Sequence, residues 1–464
     1  MAVGAEGWGE IRATGRLGRF VLLCLGVWLH AADSLVTATA VPAIVGDLGG
    51  VAYVAWTITL YQIGAIVAGA AAALLCGRHG TERVLSASAL LYGLGCLLAA
   101  MAPSMGVLLA ARLLQGLGGG TLLALGYVAI QQWFPEHLWG RLFGAQALIW
   151  AVGSLVGPLL GGAFVAFGFW RGIFWSFALQ ALLLWLLTMG LPARSDGAAT
   201  GRLPLRRMGL LAAAALAIAQ AGVTGGAVPA TALAATGLAL LLLAARLDRD
   251  ASERMLPVNT LAVRRPLGAG MLAVFALSIG TTGFWAYGPL LLDALFGIAP
   301  LVSGYLLASE ALAWSAATMA VAALPVSAGR RLIRIGAAVV AAGAAGLVAA
   351  VPAGSLPGIL VCLLLQGAGM GLCWPAIVQR AVRCAEPAEG TLAAAAPGTV
   401  QRIGLAVGAA MSGIFANLAG LAEGVSPDAA RAASFWVFAA FVPVLAIALP
   451  GVWRFTADGQ RGGQ

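Results

Sequence analysis

The sequence predicts an all-α integral membrane protein, two six-helix bundles with two further helices inserted between them. Three observations carry that prediction. Of 464 residues, 61% are hydrophobic and only 9% charged, with a mean hydropathy of +0.97; a soluble domain is about a quarter charged. Arginines recur on alternate loops. Glycine-rich stretches of the fourth and fifth predicted helices return in the twelfth and thirteenth at one common offset.

A bilayer core needs about 20 apolar residues per helix. Charged, Pro- and Gly-rich junctions divide the chain into fourteen such segments: 19–45, 52–76, 84–101, 107–131, 141–167, 170–191, 208–225, 229–245, 267–292, 298–324, 332–351, 356–379, 392–419 and 432–453. The first follows Arg12, Arg16 and Arg19. Its apolar run is longer than the roughly 7–15 residues of a signal-peptide core, so it reads as a retained helix. GVTGGAVPA leaves a very short turn between the seventh and eighth segments. The predicted division is a bundle over 1–191, a linker with two extra helices over 192–266, and a second bundle over 267–464.

Arg78, Arg83 and Arg141 fall in the second–third and fourth–fifth loops. Arg194, Arg202, Arg206 and Arg207 follow the sixth helix, and Arg246, Arg249, Arg254, Arg264 and Arg265 the eighth. Arg330, Arg331, Arg334, Arg380 and Arg383 continue the alternation, while the intervening loops hold only Arg171 and Arg431. The positive-inside rule makes the arginine-rich side cytoplasmic. An even number of spans then places both termini there, in a multi-pass protein of the inner (plasma) membrane.

Every one of the 26 basic residues is an arginine. Without lysine there is no phosphate-loop lysine, Schiff base or lysine general base. His30, His79 and His137 form no HExxH pair, and no GxSxG or nucleotide loop occurs. These absences argue against an enzyme, a metal site, a cofactor and an ATP-driven pump. The net charge of +9 follows topology, not a nucleic-acid patch. Cys24, Cys76, Cys96, Cys362, Cys373 and Cys384 show neither close pairing nor metal-ligand spacing, so no disulfide framework is expected.

RLLQGLGGG and LLLQGAGMG place Gln115 and Gln366 251 residues apart (366 − 115). Gly153, Gly157 and Gly162 recur as Gly404, Gly408 and Gly413, again by 251 (404 − 153). Two helices agreeing at one offset predict a six-helix duplication. Small residues at such spacing let helix backbones approach closely in lipid. Pro158 removes a backbone hydrogen bond and can bend the fifth helix.

Asp33 is the only full charge between Phe20 and Gly46. A charge near the bilayer centre costs about 2.5–3.5 kcal/mol on insertion scales, so one that persists is used or paired. Arg112, Glu310 and Arg402 are the other ionisable residues well inside predicted spans. At about 1.5 Å per residue, Asp33 and Glu310 each lie roughly 18 Å from the outer helix end, Arg402 roughly 15 Å from the inner end and Arg112 roughly 8–12 Å deep on the outer side. Two acids and two bases at comparable depth suggest a polar cavity between the halves, with Asp33 placed to bind a coupling proton. Bland readings stand beside this one. Arg112 or helix-end groups could satisfy Asp33, Glu310 could face protein, Arg112 could snorkel or brace packing, and Arg402 could lie nearer the inner surface. His30 reads as a packing residue.

DSLVTATAVPAI resembles the first-helix motif of the fourteen-helix drug:proton antiporters of the major facilitator superfamily, with Asp33 and Pro42 in place and Val41 standing for the usual leucine. Trp56 and Tyr61 match the second-helix pattern, and Arg112, Gln115 and Gly116 the fourth-helix motif, whose arginine the resemblance implicates in proton transfer. Gly153, Gly157, Pro158, Gly161 and Gly162 match the antiporter motif of helix 5, continued by Trp170, Arg171, Ile173 and Phe174. One loop departs. In ALLCGRHGTER, Arg78 and Gly80 are kept, but Gly77 stands where the family has aspartate, and Thr81 and Glu82 replace a basic pair. That loop latches the family's cytoplasmic side, so the latch here is altered.

The resemblance implies a proton-coupled exporter of amphipathic organic compounds, working by alternating access. Asp33, Arg112 and Glu310 are the expected coupling groups. Asp33, Glu310, Arg402, Tyr61 and Gln115 are the expected cavity residues, and Arg78, Gly80 and the helix 5 glycines the gating motifs. The expected partners are a small-molecule substrate, protons and the lipid bilayer, with the chain functional as a monomer. Export of an endogenous lipid or metabolite, and a non-transporting membrane sensor with the same fold, are the alternatives.

Overall fold

The computed structural model describes residues 3–191, 204–224, 227–251, 254–322, 324–386 and 389–457. Arg194 and Arg202, two of the expected loop arginines, lie outside the described residues. Among the described residues the chain is helical, with short 3-10 turns and no strand. The helices are α1 (Val3–Ala13), α2 (Leu17–Leu48), α3 (Val54–His79), α4 (Thr81–Ala100), α5 (Met105–Trp133), α6 (Glu136–Ala166), α7 (Arg171–Met189), α8 (Leu205–Val223) and α9 (Ala227–Arg249). They continue as α10 (Pro266–Gly280), α11 (Thr282–Phe296), α12 (Pro300–Val321), α13 (Gly329–Ala350), α14 (Leu356–Cys384), α15 (Gly390–Leu418), α16 (Pro427–Ala439) and α17 (Phe441–Thr456).

Twelve stretches of the described residues are long and apolar enough to cross a membrane, not the fourteen expected. The two that fall outside this set, α8 and α12, are nonetheless helices. Arg206, Arg207 and Gln220 dilute the Ala-rich α8, and Ser303, Ser309, Glu310 and Ser315 dilute α12. The ninth and fourteenth expected helices are each broken once. At the first break, the hydroxyls of Thr281 and Thr282 both donate to the Ser278 carbonyl, at 3.1 and 2.8 Å. Side-chain bonds of this kind compete with the helical ladder. At the second, α16 ends at Ala439, the carbonyl that Pro443 has no N–H to reach.

The chain forms two compact units, one of Met1–Thr37 and Gly64–Pro204, the other of Ala38–Ile63 and Leu205–Gln464. Glycine governs packing in both. In the first, a Cβ on Gly95 would stand 2.7 Å from the Gln115 nitrogen, and one on Gly64 2.6 Å from the Leu113 carbonyl. In the second, a Cβ on Gly343 would stand 2.5 Å from the Cys362 carbonyl, and one on Gly367 would collide with the Glu310 carbonyl. The contacts repeat. Gly153 meets Ala31 and Gly404 meets Ser278; Gly157 meets Leu35 and Gly408 meets Thr282. The duplicated glycine row of α6 and α15 therefore packs on a shared register of the helix that opens each half.

Polar clips tie helices and loops together within each unit. In the second unit, the Trp56 indole donates to the Ala219 carbonyl at 3.0 Å, and Asn417 Nδ2 to the Ala52 and Gly222 carbonyls at 2.9 and 2.7 Å. Asp248 pairs with Arg207 and accepts the Met255 and Leu256 N–H groups. Glu389 accepts from Arg254 at 2.6 Å and from the Val258 N–H at 3.2 Å. In the first unit, α1 docks by burying Ile11, by a Trp8–Phe20 ring contact of 5.8 Å and by a Glu10–His137 pair at 2.9 Å.

Candidate functional site

Asp33 and Arg112 meet inside the first unit. Asp33 lies mid-way along α2 and Arg112 in the second turn of α5, and they are 0% and 2% exposed. Arg112 Nη1 donates to Asp33 Oδ2 at 2.8 Å. The same nitrogen lies 2.9 Å from Gln115 Oε1 and 3.3 Å from Thr37 Oγ1. Thr37 donates to Asp33 Oδ1 at 3.4 Å, and Gln115 Nε2 lies 3.2 Å from Cys96 Sγ. Helical spacing builds this constellation: Thr37 follows Asp33 by four residues and Gln115 follows Arg112 by three, so each supporting side chain shares a face with the charge it supports. Burying either ion alone is costly, and the geometry leaves neither alone.

His30 is buried in a T-shaped contact with Trp150, ring centroids 5.8 Å apart. On α6, Gly153, Gly157, Pro158, Gly161 and Gly162 are all buried. A Cβ on Gly153 or Gly157 would stand 3.4 Å from Ala31 or 3.3 Å from Leu35, residues flanking Asp33. These glycines set how closely α6 approaches the segment carrying the carboxylate.

The altered loop is anchored within the first unit. Gly80, at φ 86°, allows the turn between α3 and α4 in a conformation that L side chains rarely adopt. Thr81 bonds to Gln132, and the buried Glu82 lies 3.8 Å from Arg19, whose guanidinium sits 5.3 Å over the Trp133 ring. Arg78 is exposed.

Glu310, Arg402 and Tyr61 belong to the second unit. Glu310 is buried on α12 near Trp285 of α11, and its Oε2 has no hydrogen-bond partner. Tyr61 is buried on α3, and Arg402 is half-buried on α15. The duplication makes the second half informative by contrast. Gly95 packs on Gln115 as Gly343 packs on Gln366, a shift of 248 in one helix (343 − 95) and 251 in the other (366 − 115). Leu363 then stands at the counterpart of Arg112, and Ala344 at that of Cys96. Gln366 has lost both partners that satisfy Gln115, and at 1% exposure neither of its amide atoms has a hydrogen-bond partner. At these two matched positions the second half carries no charge and no thiol.

The sequence profile of the Major Facilitator Superfamily matches residues 23–409. The chain belongs to the Major Facilitator Superfamily. It is thus a multi-pass membrane transporter of small molecules, in line with the resemblance read from its motifs. A probable multidrug-efflux transporter of Mycobacterium tuberculosis is 32% identical over 426 residues, covering 87% of this chain and 88% of that protein. An uncharacterized transporter of Escherichia coli is 27% identical over 455 residues, covering 94% and 96%. The multidrug efflux pump SdrM of Staphylococcus aureus is 23% identical over 298 residues, covering 63% and 66%. Among solved structures, a D-xylose–proton symporter superposes with a TM-score of 0.66 at 17% identity, covering 96% of this chain and 98% of that one. That likeness establishes the Major Facilitator fold, in which Asp33 and Arg112 occupy the first and fourth of the membrane-spanning helices.

Three members of the two polar constellations escaped the motif reading. Thr37 carried a usable signal, its four-residue spacing from Asp33. Cys96 and Trp285 carried none, since each meets its neighbour across a helix–helix contact.

Proposed function

We propose that the chain is a proton-coupled exporter of amphipathic organic compounds, an antiporter working by alternating access. The observation that carries this reading is the fully buried Asp33 carboxylate held 2.8 Å from Arg112. A carboxylate in a dry site is stabilised by the adjacent guanidinium, and either a proton or an organic cation can take over that role. Mutually exclusive occupancy by proton and substrate is what antiport requires. Thr37 and Gln115 keep Arg112 hydrogen-bonded when its ionic partner is neutralised. Similarity to the mycobacterial probable multidrug-efflux transporter supports the substrate class.

In this reading Glu310 is a second acid for coupling, and Asp33 and Gln115 in the first unit and Glu310, Arg402 and Tyr61 in the second are the candidate substrate-contacting residues. The α6 glycines and the Arg78–Gly80 loop act in gating. The topology we propose counts α8 and α12 as spans, for fourteen in all: a bundle over 1–191, a two-helix linker over 192–266 and a bundle over 267–464. Both termini are cytoplasmic, and the protein works as a monomer in the plasma membrane.

Everted vesicles carrying an imposed pH gradient test the proposal. Lipophilic cations added to vesicles with the wild-type protein are expected to dissipate the gradient, and Asp33→Asn to abolish the response. Dissipation by Asp33→Asn at the wild-type rate contradicts coupling through this carboxylate.

A further inference from the structure

Four arginines gather near the ends of α13, α14 and α17, in the second unit. Arg330 and Arg334 stand one turn apart on α13, Arg380 and Arg383 three residues apart on α14, and Arg380 interacts electrostatically with the other three. Two of them are fixed by the last turn of α17. Arg334 donates to Thr456 Oγ1 at 2.7 Å, and its guanidinium lies 4.3 Å over the ring of Trp453. Arg380 donates to the Phe455 carbonyl and, at 2.8 Å, to that of Ala457. A guanidinium has five N–H groups, so donors remain on both. Arg330 and Arg383 are exposed, as is Trp453 at 62%. Among the described residues no carboxylate pairs with Arg334, Arg380 or Arg383, and the nearby Glu386 is itself exposed.

Topology alone does not require this arrangement. The positive-inside rule asks only for basic residues in a loop, wherever their side chains point. Here the guanidinia of Arg334 and Arg380 are held together against their mutual repulsion by helix-end carbonyls and a tryptophan, and neither they nor Arg383 meets a carboxylate among the described residues, so an anion can enter as their counter-charge. Guanidinium forks match phosphate oxygens, tryptophan favours the headgroup level of a bilayer, and basic pockets between membrane helices take anionic headgroups. We infer that Arg330, Arg334, Arg380 and Arg383, with Trp453, form a binding site for the phosphate of an anionic phospholipid headgroup.

The test is lipid binding to the purified full chain in detergent, counted by native mass spectrometry. Phosphatidylglycerol and phosphatidylethanolamine are titrated separately, and inorganic phosphate is added in a parallel thermal-shift series. Arg330→Gln with Arg383→Gln removes two exposed charges and leaves both α17 contacts in place. Arg246→Gln with Arg249→Gln removes the same charge from exposed positions at the end of α9, an element that contributes nothing to the cluster. The first pair is expected to weaken phosphatidylglycerol binding by at least about tenfold, while the second leaves it within about twofold of wild type. Phosphatidylethanolamine is expected to bind weakly to all three proteins. Arg383→Gln alone repeats the comparison if the double variant does not fold. Equal losses in the two pairs, or no loss in the first, overturn the site. Stabilisation of the wild type by inorganic phosphate equal to that by phosphatidylglycerol overturns the lipid as its occupant.

Discussion

At the scale of single residues, the duplication supplies its own control. Gln115 and Gln366 sit at equivalent points of α5 and α14, one fully engaged and the other with neither amide atom bonded. Leaving a buried polar group unsatisfied costs about 1–3 kcal/mol. Gln366→Leu is therefore expected to raise the unfolding temperature in detergent, and Gln115→Leu to lower it. The ion pair makes a sharper case. Arg112→Leu leaves Asp33 buried without its counter-charge, a loss of about 3–5 kcal/mol in comparable buried pairs. Adding Asp33→Leu to that variant is expected to restore most of the stability, so a double-mutant thermal cycle reads the coupling directly. Additive losses contradict a tight pair.

At the scale of helices, close approach depends on a few glycines without a Cβ. Gly367 lies against the Glu310 backbone, whereas Gly140 on α6 has no neighbour within 4 Å of where a Cβ would stand. Gly367→Ala is expected to cost about 1–3 kcal/mol through forced separation of α12 and α14. Gly140→Ala is expected to be neutral or to stabilise by about 0.5–1 kcal/mol; thermal unfolding followed by circular dichroism separates the two. The glycine rows were legible in the sequence because a repeat at a fixed offset survives without knowledge of the fold. The breaks at Thr281 and Ala440 were less so. One turns on hydroxyls competing for a single carbonyl, the other on a proline three residues past the break. The α1 helix went unread because its docking rests on the tertiary partners Phe20 and His137.

At the scale of the whole molecule, the span count separates two topologies, twelve by length and apolarity and the fourteen we propose. Cysteine labelling in a background lacking the six native cysteines decides it. Met101→Cys, Thr224→Cys and Ala353→Cys are expected to react with an impermeant reagent from outside, and Glu136→Cys only after permeabilisation. Thr224→Cys carries the discrimination, because it is external only if α8 and α9 both cross. The membrane class, the duplication and the charged residues of the first half were all legible, since apolar runs and isolated charges are one-dimensional signals. That Asp33 and Arg112 touch was open, because 79 residues of chain separate them. The central claim, that Asp33 exchanges a proton for substrate, is tested most directly by proton release. The purified protein in weakly buffered detergent solution receives a panel of lipophilic cations, wild type beside Asp33→Asn. The account predicts release on ligand addition by the wild type and none by the variant. Release by Asp33→Asn at the wild-type level would contradict it and move the coupling to Glu310.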